Sequence, residues 1–360
     1  MLTVAKRSNA THGNGNDVFK CTADLDTHQV ISKVETEPWS HQLCAECLNQ
    51  VRWPRQHRRG RLPHGDLACT ALAASINEPL VGTAGWASTW LLIENRGSWA
   101  SHAVKDLLPP PLRELLSPVR WNTQLVRELD DRRTEGSLRV WLVDVSSHTT
   151  WQWSVQDSEA QFTLIESLAA GAPNAAGRVV EQPFLLVCTN GKRDACCALF
   201  GRAVLTDLVN GHMRQATLAE SHPLALESTH LGGHRFSPVV VALPSSYQYR
   251  CADATHAEAI LEAAKAGLIH PEGLRGSTMK QSPEQVVELE LRNRLNQWHV
   301  DTPWVAQTSI DSGVAHVVGE CDGTAFEAQL TLRTGQPRRE SCDGDPKPLQ
   351  WWELTSLSQG

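Results

Sequence analysis

"QPFLLVCTNGKRDACCALFGRAVLTDLV" runs from Gln182 to Val209. Its first seven residues form a short, almost wholly apolar run, the pattern of a strand buried on both faces. A polar turn with one glycine follows. From Ala195 to Val209, the positions of Leu199, Val204, Leu205 and Leu208 fit one face of a helix. Cys188 closes the strand, and the adjacent pair Cys196 and Cys197 opens the helix. A thiol at a strand end and another at a helix start can face each other across the loop. The helix N-terminus, with Lys192 and Arg193 close by, favours the thiolate form.

Outward from this unit the chain alternates. "TWLLIE" (Thr89–Glu94) and "SLRVWLVDV" (Ser137–Val145) read as buried strands. "SHAVKDLLPPPLRELL" reads as helix on both sides of a proline stop at 109–111. "SPVVVALPSSYQYRCA" reads as two strands joined at Pro244–Ser246, and "ATHAEAILEAAKAG" as an amphipathic helix stopped by Gly267. Strands separated by helices predict an α/β sandwich, for which a thioredoxin-like sheet is one arrangement. From about Gly273 the character changes. "SPEQVVELELRNRLNQW" predicts a helix capped by Ser282 with Gln285 closing the box. "AHVVGEC" and "FEAQLTLRT" then alternate as a small antiparallel α+β appendage would. The expected organisation is a poorly structured leader (1–66), an α/β domain (67–272) and a C-terminal appendage (273–360). No internal repeat is visible.

Composition bounds the function. A net charge of −7 over 360 residues argues against a nucleic-acid binder, which carries a basic stripe. No apolar run reaches 18 residues, and the N-terminal segment has no apolar signal core, so a cytoplasmic, reducing setting without a membrane is expected. Ten cysteines, at 21, 44, 47, 69, 188, 196, 197, 251, 321 and 342, are too sparse for a disulfide scaffold. In such a chain cysteines serve metals, redox chemistry or packing.

"ESTHLGGHRF" (Glu227–Phe236) supplies the other half of the chemistry. His230 and His234 flank two glycines, which argue for a tight loop rather than a helix. Two thiolates and two imidazoles suit zinc or a [2Fe–2S] cluster. Cys44 and Cys47 form a CxxC, and with Cys21, His41 and Cys69 a second zinc site is conceivable. The matched second pair is missing, so incidental cysteines in the leader are the preferred reading. Cys251, Cys321 and Cys342 read most simply as packing residues, although Cys342 could approach the centre.

"CTNGKRDACCA", "HLGGHRF" and "VVVALPSSYQY" together closely resemble the sucrase/ferredoxin-like family. "NEPLVGTAGWASTWLLIE" (Asn77–Glu94), "GLRGSTMKQSPEQVVELELR" (Gly273–Arg292) and "RESCDGDP" extend that resemblance from about Cys69 to the C-terminus. It implies a thioredoxin-like ferredoxin whose [2Fe–2S] cluster is bound by Cys188, Cys197, His230 and His234, with Cys196 as the alternative to Cys197. It further implies a carrier that exchanges single electrons with an unidentified redox partner, rather than an enzyme with its own substrate. No carboxylate pair marks a sucrase-type site. The competing readings are a thiol–disulfide oxidoreductase using Cys188 with Cys196 or Cys197, and a zinc-stabilised binding module. Neutral imidazoles in place of two thiolates raise the potential above that of a four-cysteine centre. A ring nitrogen that can lose its proton on oxidation makes the potential fall as pH rises, so at least one of the two histidines should be partly exposed.

Overall fold

A computed structural model describes residues 68–129, 131, 135–171, 177–213 and 223–360. The leader, with Cys21, His41, Cys44 and Cys47, lies outside these residues. After a short helix α1 (Cys69–Ser75) the chain enters a mixed α/β unit. This comprises β1 (Thr89–Glu94), α2 (Ala103–Leu107), α3 (Pro110–Val119), β2 (Asn122–Arg127), β3 (Leu138–Asp144), β4 (Thr149–Val155), α4 (Ser158–Ala169) and β5 (Arg178–Val179). A second unit follows: β6 (Phe184–Cys188), a π-helical turn (Cys197–Gly201), α5 (Arg202–Met213), β7 (Ala225–Ser228), β8 (Val239–Leu243), β9 (Tyr247–Arg250), α6 (Ala254–Lys265) and β10 (Leu274–Ser277).

The two units have the same topology. In the first, β1 runs parallel to β2 and antiparallel to β3, β3 pairs with β4, and β4 with β5. In the second, β6 runs parallel to β7 and antiparallel to β8, β8 pairs with β9, and β9 with β10. The units meet edge to edge where β2 pairs antiparallel with β7, through Val126↔Ser228 and Arg127↔Glu227. Among the described residues this gives one ten-stranded sheet, in the order β10-β9-β8-β6-β7-β2-β1-β3-β4-β5, with approximate two-fold symmetry about the β2·β7 seam. The duplication corrects the sequence reading of a chain without repeats. The two copies share backbone topology but no recognisable run of residues. The large sheet also continues past residue 272, because β10 adds to its edge.

The seam carries buried polar contacts beside its apolar ones: Thr229 accepts the Leu125 N–H at 3.0 Å and donates to Gln124 at 2.6 Å. Buried Glu227 takes the guanidinium of Arg127 directly across the seam, and that of Arg202 at 3.1 Å from α5. Arg127 lies over the Trp99 ring at 4.0 Å. Side chains alternate along each strand, so the two sheet faces carry different clusters. Leu185 and Val187 point to the face covered by α5 and α6, with Val204, Leu205, Ile260 and Leu261. Phe184, Leu186 and Cys188 point the other way. They join a core that crosses the seam through Leu226 and Val126 to Trp90, Leu92 and Trp141, and that is closed by Leu231 and Phe236. This parity is what turns Cys188 toward the His-Leu-Gly-Gly-His loop.

Helix α7 (Ser282–Leu295) begins one residue earlier than its serine suggests. Gln281 is the N-cap and Glu284 closes the capping box. Ser282 instead donates its hydroxyl to the Gly82 carbonyl, and Gln285 is buried against the carbonyls of Ala84, Ser277 and Lys280. The Ser282 hydroxyl is taken by Gly82, so the cap falls to Gln281, and Pro283 stays within the first turn where it loses no helical hydrogen bond. Val287 and Leu291 of α7 pack on a four-stranded antiparallel meander. Its strands are β11 (Trp304–Asp311), β12 (Val314–Cys321), β13 (Thr324–Arg339) and β14 (Pro346–Gln359). The β13–β14 connection carries Cys342 back against the second α/β unit. No helix among the described residues is long and apolar enough to cross a membrane.

Candidate metal centres

Three chain segments bring Cys188, Cys197, His230 and His234 to one end of β6. Cys188 is the last residue of β6. Cys197 opens the π-helical turn, where the sequence alone predicts α-helix. Such turns recur at functional sites because one extra residue per turn re-aims its side chains. The turn lies flat on β6 because position 201 is glycine: a Cβ there would overlap the carbonyl oxygen of Cys188. The Cys197 thiol hydrogen-bonds Cys188, and Cys197 Sγ lies 3.8 Å from His234 Nδ1. The rings of His230 and His234 stack with centroids 3.9 Å apart and planes inclined by 14°. Both cysteines are buried, His234 is 8% exposed, and His230 is half-buried at the rim.

The loop between the histidines depends on its glycines. Gly233 adopts φ +73, and a Cβ on it would sit 2.6 Å from the guanidinium of Arg275. Arg275 reaches from β10 to the Gly232 carbonyl at 3.1 Å, and also bonds Thr83. The backbone N–H of Gly232 donates to His230 Nδ1 at 3.4 Å, leaving the other ring nitrogen to Cys188. Arg235, the next residue after His234, pairs with buried Glu78. Arg338 binds the same carboxylate at 2.8 and 2.6 Å. One buried carboxylate thereby ties the histidine loop to β13 and to the segment after α1.

The electrostatics divide the pair of thiols. A hydrogen bond from Cys197, with a further contribution from His230, pulls Cys188 well below the usual thiol range, against the effect of burial. Its partner Cys197 is pushed up by that same hydrogen bond and by burial. Burial and the like charge of His230 pull His234 down to about 3, which keeps its imidazole neutral and able to ligate a metal. Of the two thiols, Cys188 is the one biased toward the thiolate that a metal requires.

Cys196 does not face this group. Its side chain lies on the opposite side of the turn, 3.5 Å from Cys69 Sγ and 3.2 Å from Cys342 Sγ. Cys342 Sγ and Cys69 Sγ are 3.6 Å apart, and Asp194 approaches Cys342 to 3.3 Å. Cys342 is buried as a packing residue would be, but its neighbours are two other thiols and a carboxylate. Its partners lie 146 and 273 residues away in sequence, so no local spacing announces them. The Asp-x-Cys-Cys run was the available signal, since adjacent residues of a helical turn point to different sides. Cys251 and Cys321 are buried in apolar clusters, as expected. His256, His270 and Glu272 also cluster, but His256 is occupied by the Ala252 N–H and the Glu272 carbonyl.

The sucrase/ferredoxin-like family model matches residues 80–276, just over half of the chain. The chain belongs to the sucrase/ferredoxin-like family. The matched region spans both α/β units and holds Cys188, Cys197, His230 and His234, whereas Cys69 and Cys342 fall on either side of it. No curated protein and no solved structure matches this chain.

Proposed function

We propose that this chain is an electron-transfer protein whose [2Fe–2S] cluster is held by Cys188, Cys197, His230 and His234. One observation carries the reading: Cys188 and Cys197 share one buried cluster, Cys197 Sγ lies 3.8 Å from His234 Nδ1, and the His230 ring stacks on that of His234. The donor set fits the group, because thiolate and neutral imidazole are the ligands that such clusters take. When bound, such a cluster supplies one-electron exchange at a potential above that of a four-cysteine ferredoxin. The chain's own residues do the rest. Cys188 stands as a thiolate and Cys197 surrenders its proton on loading. Phe236, Leu231 and Trp90 belong to the buried apolar cluster that contains both cysteines. His230, at the rim, is the ring through which a proton and a docking partner can reach the site. The partner is a redox protein, and the surplus of negative charge suits one with a basic docking face.

A second reading, mononuclear zinc beside the end of β6, is favoured by the short Cys197–His234 separation of 3.8 Å and by Asp194, whose carboxylate lies within 4.8 Å of both. Colour and chemistry separate the two. Protein purified anaerobically is expected to be red-brown with about two irons and two sulfides per chain. A colourless protein containing zinc and no sulfide at these residues refutes the cluster. A colourless, metal-free protein that exchanges disulfides through Cys188 establishes the thiol oxidoreductase instead.

A further inference from the structure

We propose that Cys69, Cys196, Cys342 and Asp194 form a second, separate metal site, which binds one tetrahedral zinc ion. Their ligand atoms all lie within 4.8 Å of one another. The three sulfur–sulfur separations are 3.5, 3.2 and 3.6 Å, and the Asp194 oxygens lie 3.3 to 3.8 Å from Cys342 and Cys69. Zinc–sulfur bonds of ~2.3 Å at tetrahedral angles place neighbouring sulfurs about 3.8 Å apart. The pocket therefore has the size for one ion and is too small for a cluster. Three sulfurs and one oxygen are a soft, closed set that suits structural zinc.

A second observation points to a cation independently. Asp194 is 2% exposed, and among the described residues no lysine or arginine pairs with it. Its two oxygens accept the backbone N–H groups of Cys196 and Cys342, each at 2.9 Å. These bonds orient the carboxylate toward the sulfurs, as outer-shell bonds orient ligands at metal sites, but they bring no positive charge. Buried carboxylates without a cationic side chain are found where a metal supplies the charge. The surroundings are otherwise apolar: Ala68, Ala71 and Phe200.

Such an ion would join three distant segments: the start of α1, the loop before α5, and the β13–β14 connection. It would also fix Cys196, the immediate neighbour of Cys197. The two sites adjoin at Asp194, which also lies within 4.8 Å of Cys197 and His234, and the test keeps them apart. Full-length protein from zinc-replete cells is analysed for zinc, iron and sulfide, alongside Cys188→Ser/Cys197→Ser, Cys69→Ser and Cys342→Ser variants. About one zinc per chain is expected in the parent and in the Cys188/Cys197 variant, and an at least ~10-fold loss in the Cys69 and Cys342 variants. Zinc-edge X-ray absorption of the parent, which needs no variant to fold, is expected to show three sulfurs and one oxygen or nitrogen. Absence of zinc from the parent, a Cys196–Cys342 disulfide in anaerobically prepared protein, or full zinc retention in Cys342→Ser would overturn the assignment. Loss of iron from the Cys188/Cys197 variant alone tests the cluster reading and leaves this one standing.

Discussion

Replacing Glu78 with glutamine keeps the shape of the side chain and removes its charge. In the parent, Glu78 is 5% exposed and holds two guanidinium groups, Arg235 beside His234 and Arg338 on β13. Arg338 is itself 5% exposed, so the variant leaves a buried cation facing an amide. Removing one partner from a buried ion pair costs about 3–5 kcal/mol, because the remaining charge stays desolvated. Both guanidinium groups keep longer contacts to Glu340, Arg338 at 3.4 Å and Arg235 at 3.7 Å, which places the expected loss toward the lower end of that range. Chemical denaturation of the two proteins under the same anaerobic conditions measures the difference. The internal control is Glu353→Gln. Its partner Arg333 is bound at 2.6 Å, but both side chains are 48% exposed, and a surface pair contributes about 1 kcal/mol or less. Two variants with equal losses, or a Glu78→Gln loss below about 1 kcal/mol, would show that the shared carboxylate does not anchor the histidine loop.

Gly201→Ala is expected to cost about 1–3 kcal/mol by forcing the π-helical turn off β6, and to lower iron retention with it; an unchanged unfolding midpoint and iron content would contradict the packing argument. Cys196→Ser should leave the iron content intact, whereas Cys197→Ser abolishes it; the reverse pattern exchanges the two thiols between the sites. In the loaded protein, the reduction potential is expected to fall as pH rises through the alkaline range, and His230→Cys should remove most of that slope; a flat potentiometric titration of the parent excludes proton coupling. Cys251 is pushed by burial up to about 12, above the 9.0 of a free thiol. The unfolded chain therefore releases this proton first. The contribution is complete below pH 9 and is lost as pH rises toward 12, so iodoacetamide at pH 9 should label Cys251 only in denaturant.

Much of this molecule could be read from its residues because the informative signals are local. The apolar run before Cys188 is β6, the run Thr89–Glu94 is β1, and Gly267 ends the helix before it, as their patterns require. Those positions are governed by one or two dominant forces, burial and turn geometry. The pairing of two thiols with two histidines was visible because each half is a compact motif. What stayed hidden depends on contacts distant in sequence. The doubled sheet escaped notice because a strand order can be conserved while every side chain changes. The capping serine was misplaced by one residue because Gln281, Ser282 and Pro283 all suit a helix start. The Cys69–Cys196–Cys342 cluster escaped because a lone cysteine near each end of a fold has no periodicity to report.

Glu94 ends β1 as Cys188 ends β6, so the two residues occupy matching places in the two halves. Where the second half presents a thiol, the first presents a carboxylate clasped by Arg139 at 2.9 and 3.0 Å and by Arg96 at 3.1 Å. The same backbone socket is therefore closed by guanidinium clamps on one side and left lined with sulfur and imidazole on the other. If the proposed cluster reading holds, the first half is the built-in comparison: the same backbone with a clamped carboxylate where the second half offers thiol and imidazole.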